Sequence, residues 1–364
     1  MFPENFDEWN VFAQEDPFNN NFVEGYVCRR NDNSYGAVYI QKVNDRPVPQ
    51  LIYCTPKMRY PFDKNGNWHF PKAKQILRFT KLDGSNIFAY FYKDEKGEEH
   101  LTYKLRLAPF VRNSRFGPFL DMWREILKMK PHIEKFSRLS RFHASYELWG
   151  ARNSHLIQYD VPLAASLLFI RHQQKIAPPQ GLEFPTEDIA PFLGGIDRDY
   201  IWNYQESQRN LEANLKEVED GYQGHEGEIW YLQTEDGIWS PLKLKPETIE
   251  QIHWAMGGIG KNVIITTCQN AFESWDNPTF ENVVHLLEEE FPKEAIETVH
   301  DMIRRILPEV KSNFEFRAQV MEQYNELGMN ILEDKTNVMR ALSSKFKKDQ
   351  MKKVYTVIMN HVVK

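Results

Sequence analysis

The chain has 364 residues, 41% of them hydrophobic and 26% charged, which is room for two domains, one with a sizeable core, at an ordinary globular composition. A net charge of −6 excludes a protein that holds nucleic acid by bulk charge, so any such binding has to come from local clusters. Cys28, Cys54 and Cys268 form no C-x-x-C pair, which argues against a disulfide framework or zinc ribbon and points to a reducing, intracellular (cytoplasmic) compartment. Glu4, Asp7 and Glu8 precede any apolar run, unlike a secretory signal, and no stretch approaches the roughly 18 apolar residues of a membrane helix.

Residues from about Phe22 to Phe70 are short runs of Tyr, Val and Ile broken by turn signals such as Asn31-Asp32-Asn33 and Asp63-Lys64-Asn65-Gly66, a β-rich entry segment. From Ile76 to about Val263 the pattern is mixed. Ile87–Tyr92 and Glu228–Leu232 read as strands, with a hairpin turn at Lys93–Gly97. Phe119–Met129 and 199–218 read as helices, the second poor in apolar residues and so on the surface. After Asn277-Pro278, apolar residues recur at helical spacing through Val283, Leu287, Ile296, Ile303, Val338, Phe346 and Ile358. Pro292 and Pro308 are placed at helix boundaries. The expected division is a lead segment, 1–75, supporting a domain at 76–274, then a helical domain at 275–364.

The chemistry starts at Thr80-Lys81-Leu82-Asp83-Gly84-Ser85-Asn86, between the apolar run Ile76–Phe79 and the strand from Ile87. A lysine at a strand edge with a glycine beyond it lets a phosphate approach the backbone closely. To act as a nucleophile that lysine has to shed its proton, which nearby cations or burial promote. Alone, K-x-D-G is also a common turn tetrapeptide. Its weight comes from four elements farther along the chain. Lys104-Leu105-Arg106 alternates two cations. Tyr146-Glu147-Leu148-Trp149-Gly150 sets a carboxylate in an apolar run, and Glu226-Gly227 sets another at the start of a strand. Lys243-Leu244-Lys245 puts two ammonium groups on one strand face.

This order resembles the covalent nucleotidyltransferase superfamily of ATP-dependent ligases and mRNA capping enzymes, over roughly residues 76–250. Lys81–Gly84 resembles its motif I, Tyr146–Gly150 motif III, Glu226-Gly227 motif IV and Lys243–Lys245 motif V. Asn86 and the form of motif III look like the phage-type ATP-dependent RNA ligases. The helical tail agrees, because DNA ligases and capping enzymes follow motif V with a strand-rich OB-fold. The resemblance implies an α+β fold: an adenylation domain with antiparallel sheets around an ATP cleft, then a helical C-terminal domain. It implies that Lys81 attacks the α-phosphate of ATP and that Glu147 orients the ribose. Glu226 would hold Mg²⁺ or Mn²⁺, and Lys243 and Lys245 would contact the α-phosphate. Asp83, Gly84, Asn86, Lys104 and Arg106 are expected around the nucleotide, the last two as phosphate cations.

The implied partner is RNA with 5′-phosphate and 3′-hydroxyl ends, with no membrane and no obligate protein partner evident. The rival readings are a DNA ligase acting on nicked duplex and a non-catalytic RNA-binding relative. Around this centre, Lys345, Lys347, Lys348, Lys352 and Lys353 form either a ridge for the RNA backbone or a solvated helix face. Arg112 and Arg115 stand open between phosphate contacts and ordinary surface. Thr55–Pro61 reads as a surface turn or as a contact for ATP phosphates or RNA. His143, His155 and His172 show no metal-ligand spacing and read as structural.

Overall fold

The computed structural model describes residues 9–362 apart from 31, 64, 115–116, 154–155, 198–202, 219–220, 247–258, 289–290 and 292. Asn31, Lys64, Arg115, His155 and Pro292 therefore lie outside the described residues, as does the start of the helix expected over 199–218.

Four strands, β1 (Trp9–Glu15), β2 (Phe22–Cys28), β3 (Val38–Val43) and β4 (Arg46–Ile52), form an antiparallel meander. The β structure of the lead segment thus starts earlier than Phe22 and ends at Ile52. Between there and Phe70 the described chain has only isolated bridges, Arg59 with Leu242 and Phe62 with Trp68.

The larger sheet takes its strands from the rest of the β-containing chain. β5 (Gln75–Lys81), β6 (Gly84–Lys93) and β7 (Glu99–Leu105) come first, the last two joined by the hairpin at Lys93–Gly97. A two-residue ladder, β8 (Asn113–Ser114) and β9 (Gly117–Pro118), stands apart. β10 (His143–Trp149), β11 (Ala164–His172), β12 (Lys175–Ala177) and β13 (Phe192–Asp197) follow. β14 (Leu215–Val218) and β15 (Gly221–Gly224) form a separate ladder, and β16 (Gly227–Gln233) and β17 (Trp239–Leu244) complete the sheet.

Strand order in this sheet is β13-β5-β16-β17-β12-β11-β10-β6-β7, antiparallel, with one bridge, Ile176 to Trp239, joining its two halves. Lys81 and Gly84 are three Cα steps apart, at most about 11 Å. Yet β5 and β6 stand second and eighth in the order. The sheet therefore folds over on itself, and its halves face each other across a cleft whose end is closed by Leu82 and Asp83.

Alternation along β6 explains why Ile87–Tyr92 is apolar throughout. Ile87, Ala89 and Phe91 face the core under the helices α1 (Phe119–Met129) and α2 (His132–Ser140), where Met122, Trp123, Ile126 and Ile133 are buried. Phe88, Tyr90 and Tyr92 face the other way, into a core shared with Val23, Val38, Ile40 and Ile52 of the four-stranded sheet. The lead strands thus form their own sheet, yet share a core with the larger one. A third core, with Ile76, Trp230, Leu242 and Leu244, is covered by Phe62 and by α3 (Tyr204–Glu212).

The helix expected over 199–218 is shorter than the pattern suggests. Asn203 caps α3, its side chain accepting from the Glu206 N–H, and the chain after Asn214 pairs as β14. Leu215 and Val218 are three apart, a spacing too short to separate helix from strand.

The helical region begins at α4 (Lys261–Ser274), ahead of position 275, and continues through α5 (Phe280–Glu288), α6 (Lys293–Glu297), α7 (His300–Leu327), α8 (Lys335–Leu342) and α9 (Met351–Val362). Val263, Ile264, Cys268 and Phe272 of α4 are buried with Val283, Leu287, Ile303 and Ile306. Pro308 sits inside α7, exposed, rather than at a boundary. A 28-residue helix with buried residues at both ends absorbs the hydrogen bond that Pro308 cannot donate. Among the described residues no helix is long and apolar enough to cross a membrane. The three cysteines are buried.

Candidate active site

Because β5, β16 and β17 are antiparallel, the end of β5, the start of β16 and the end of β17 lie at one edge of the sheet. That geometry brings Lys81, Glu226 and Lys245 together. Lys81 pairs with Gly227 across the ladder and projects from the same face of β5 as the buried Leu77 and Phe79. Its ammonium donates to Glu226 Oε2, and the Lys245 ammonium stands 3.2 Å from Oε1 of the same carboxylate. Alternation along β16 would send Glu226 to the outer face with Glu228. Gly227, at φ +155° with no room for a Cβ against the Leu244 carbonyl, is the break that lets the chain return Glu226 to the cleft. Glu228 faces outward, in a bidentate pair with Arg78 at 2.6 and 2.7 Å and accepting from Trp230 Nε1.

Glu226 is almost fully buried. Burial raises its pKa, but the Lys81 and Lys245 ammonium groups outweigh that and hold it down at about 2. Lys243 is also buried and faces the cleft, with its Nζ 4.8 Å from the centre of the Tyr60 ring and its N–H bonded to the Arg59 carbonyl at 3.0 Å.

The facing wall comes from β6 and β10, where Asn86 lies directly opposite Glu147 and both line the cleft. Asn86 Nδ2 donates to Ser145 Oγ at 2.9 Å and to the Tyr146 carbonyl at 3.1 Å. Its Oδ1 is buried with no partner among the described residues, an acceptor left for a ligand. Asp83 also lines the cleft, and its Oδ2 accepts from the N–H groups of Leu156 (2.5 Å) and Ile157 (2.7 Å), which ties down the Lys81–Gly84 turn.

Gly84 lines the cleft, but its lack of a side chain serves the sheet. A Cβ there would run into the Leu148 carbonyl on β10. Gly84→Ala is accordingly expected to lower stability by about 3 kcal/mol or more, read by urea unfolding, because the Asn86–Glu147 register has to shift to make room.

The two expected phosphate cations, Lys104 on β7 and Arg106 just after it, part company. Arg106 lines the cleft, stacked 4.7 Å from the centre of the Tyr35 ring. Lys104 is fully buried and does not line the cleft: its Nζ donates to the carbonyls of Leu105 (2.7 Å) and Arg106 (2.8 Å), and burial lowers its pKa to about 8. It holds the backbone that carries Arg106. Of the turn Thr55–Pro61, Thr55, Lys57 and Met58 line the cleft.

Helices supply a wall that the sequence pattern did not reveal. Thr266, Thr267, Asn270 and Ser274 of α4 line the cleft, with Leu286, Leu287 and Phe291 beyond them. An uncharged polar stripe beside the apolar face of α4 was the available signal, since solvent-facing stripes usually carry charge. Arg112 belongs to this contact rather than to a phosphate. It donates to the Ser274 carbonyl at 3.2 Å and lies 3.4 Å from Asp276, while Arg29 sits 4.6 Å from the centre of the Trp275 ring. His143 packs against Phe88 and Phe91, and His172 against Phe142.

No protein-family model matches the sequence, and no curated protein does. Among solved structures, the chain is similar to an archaeal ATP-dependent RNA ligase in two forms. One has TM-score 0.42 at 14% identity, covering 83% of this chain and 74% of that one; the other has 0.42 at 13%, covering 88% and 76%. It is also similar to a mutant Naegleria gruberi RNA ligase solved with ATP and Mn, at TM-score 0.32 and 13% identity over 49% of this chain and 51% of that one. The solved structures that this chain resembles thus include an archaeal ATP-dependent RNA ligase and an RNA ligase of Naegleria gruberi.

Proposed function

We propose that the protein is an ATP-dependent RNA ligase that works through a lysyl-adenylate on Lys81. The observation that carries this reading is the convergence of Lys81, Glu226 and Lys245 at one sheet edge, across from Asn86 and Glu147. In this reading the nucleotidyltransferase unit starts at 76 with 1–75 buttressing it, and the helical unit, expected over 275–364, takes in α4 as well.

Lys81 Nζ attacks the α-phosphorus of ATP, a P–N bond forms, and pyrophosphate leaves with the electrons of the broken P–O bond. As an ammonium donating to Glu226, Lys81 has no free lone pair, so attack requires that ion pair to open and one proton to pass to solvent water. Lys243 and Lys245 offset charge on the phosphate as it transfers, and Arg106 extends that field. Glu147 receives the ribose hydroxyls, and the free acceptor of Asn86 takes a ligand donor. An RNA 5′-phosphate then displaces Lys81 from AMP, and a 3′-hydroxyl displaces AMP to form the phosphodiester.

The residues fit a magnesium or manganese ion in one respect. Glu226 is an ionised hard-oxygen donor at the phosphate end, and a metal bound mostly by phosphates needs only one or two carboxylates. When bound, such an ion neutralises phosphate charge.

The test is to incubate the protein with α-labelled ATP and magnesium, denature it and look for label on the chain, then compare RNA ends with nicked DNA as substrates. Covalent label and sealed RNA are expected. Label with preferential sealing of nicked DNA would make it a DNA ligase. No label, with manganese and pyrophosphatase also tried, overturns the enzyme and leaves a non-catalytic RNA-binding protein.

A further inference from the structure

We propose that a second groove, at the other end of the same strands, binds single-stranded RNA; the choice of polynucleotide rests on the ligase reading. The groove lies between Gln50–Tyr53 at the end of β4, the end of β6, the start of β10 and the turn joining β11 to β12. β10 connects it to the cleft. His143 lines the groove and Glu147 the cleft, on the same strand face and about 13 Å apart at the usual rise per residue. Between them Thr55 Oγ1 meets Ser145 Oγ at 3.0 Å, and Arg171 donates to the Cys54 carbonyl, so the two sites are neighbours with separate walls.

Charge is the first argument. The chain carries −6 overall, yet the walls of this groove hold Lys93, Arg141, Arg171 and Lys175 against the single carboxylate of Glu99. Lys93, Arg141 and Lys175 are exposed, Arg141 being paired with Glu99. Arg171 is buried and saturated by the carbonyls of Cys54, Asn33 and Gln173, so it adds field rather than donors. A positive patch on an acidic protein selects a polyanion by locality.

The floor is the second argument. Tyr53, Phe91 and His143 line it, with Arg171 5.3 Å from the centre of the Tyr53 ring and Arg141 5.7 Å from that of Phe91. Aromatic and guanidinium planes with ammonium groups on the rim suit unpaired bases on a phosphodiester backbone. An acidic peptide would use the rim and leave the floor idle.

The experiment is fluorescence anisotropy with a short fluorescein-labelled single-stranded RNA, without ATP, across a salt series, on the full chain and on Arg141→Ala, Lys175→Ala and the double variant. Thermal unfolding checks the fold, and label transfer from α-labelled ATP runs in parallel. Each single variant is expected to bind RNA about 3- to 10-fold more weakly, and the log–log salt slope to drop by about 0.7 per lost contact. Adenylate formation should stay unchanged. RNA affinity within about twofold of the parent in a folded double variant overturns the groove. So does equal loss of affinity for ATP or inorganic phosphate, which would make it a mononucleotide or anion site. Absent adenylate with the RNA effect intact overturns the ligase reading and leaves the groove standing.

Discussion

Lys81→Ala is expected to abolish covalent labelling by α-labelled ATP, a fall of at least about 10⁴-fold in adenylate formation. Three lysines and an arginine face the cleft in the region of Lys81, so loss of activity in Lys81→Ala alone would not separate a nucleophile from a phosphate clamp. Lys81→Arg separates them. It keeps a cation beside Glu226 but offers a guanidinium that stays protonated and does not attack phosphorus. Both variants should be unlabelled if Lys81 forms the bond. A cation that only stabilises charge predicts instead that Lys81→Arg retains much of the parent's label. A second readout is the joining of RNA supplied with a pre-formed 5′-adenylate. That step makes no bond to Lys81, so the variants should retain it, Lys81→Arg better than Lys81→Ala. Failure at this step as well, in a protein with an unchanged melting temperature, would mean that Lys81 serves the whole cleft electrostatically and is not the nucleophile.

The motifs along the chain were legible because each is local. K-x-D-G, the two glutamates and the paired lysines announce themselves by residue type and spacing, and antiparallel topology brings their strand ends to one edge. What side chains do once there depends on parity and burial, which short motifs conceal. Lys104 and Arg106 look equivalent in sequence, yet Lys104 ends under the sheet on two carbonyls while Arg106 reaches the cleft. Asp83 has no role that its motif alone assigns, and it accepts two backbone N–H groups from residues 156 and 157, a contact across more than seventy positions that no local pattern reveals. Gly84 reads as space for a phosphate and is required by the neighbouring strand. The same limit hid α4. Its apolar positions repeat helically, but a mixed region precedes it, and its polar stripe has meaning only once the cleft beneath it is known.

Glu226→Gln is the second variant expected to have a large effect, and it acts on stability and catalysis through the same pair of lysines. Its carboxyl, against an ordinary value of 4.5, is held at about 2 because Lys81 and Lys245 outweigh the cost of burial. A depressed folded-state pKa stabilises the native protein at pH above the ordinary value, and that stabilisation is lost as pH falls towards the folded-state value. The contribution at neutral pH is on the order of 3 kcal/mol. Glutamine has the shape of the protonated acid and carries no charge, so it leaves the two ammonium groups facing each other across a neutral amide at every pH. The variant should therefore be less stable than the parent by about 3 kcal/mol at pH 7, with the gap narrowing steadily between pH 5 and pH 2. Urea unfolding of both proteins at pH 7 and at successively lower pH measures this directly. A gap that stays constant with pH would show that Glu226 contributes packing rather than charge. Catalysis provides the independent check. In conditions where the variant is folded, label transfer from ATP should fall on the order of 10²- to 10³-fold, as for the loss of one preorganised charge at a reacting phosphate. The two effects part company in Lys245→Met, which removes one partner of Glu226 but leaves its carboxylate paired with Lys81. That variant should narrow the pH-dependent stability gap without closing it, while still slowing label transfer, because Lys245 faces the cleft as well as Glu226.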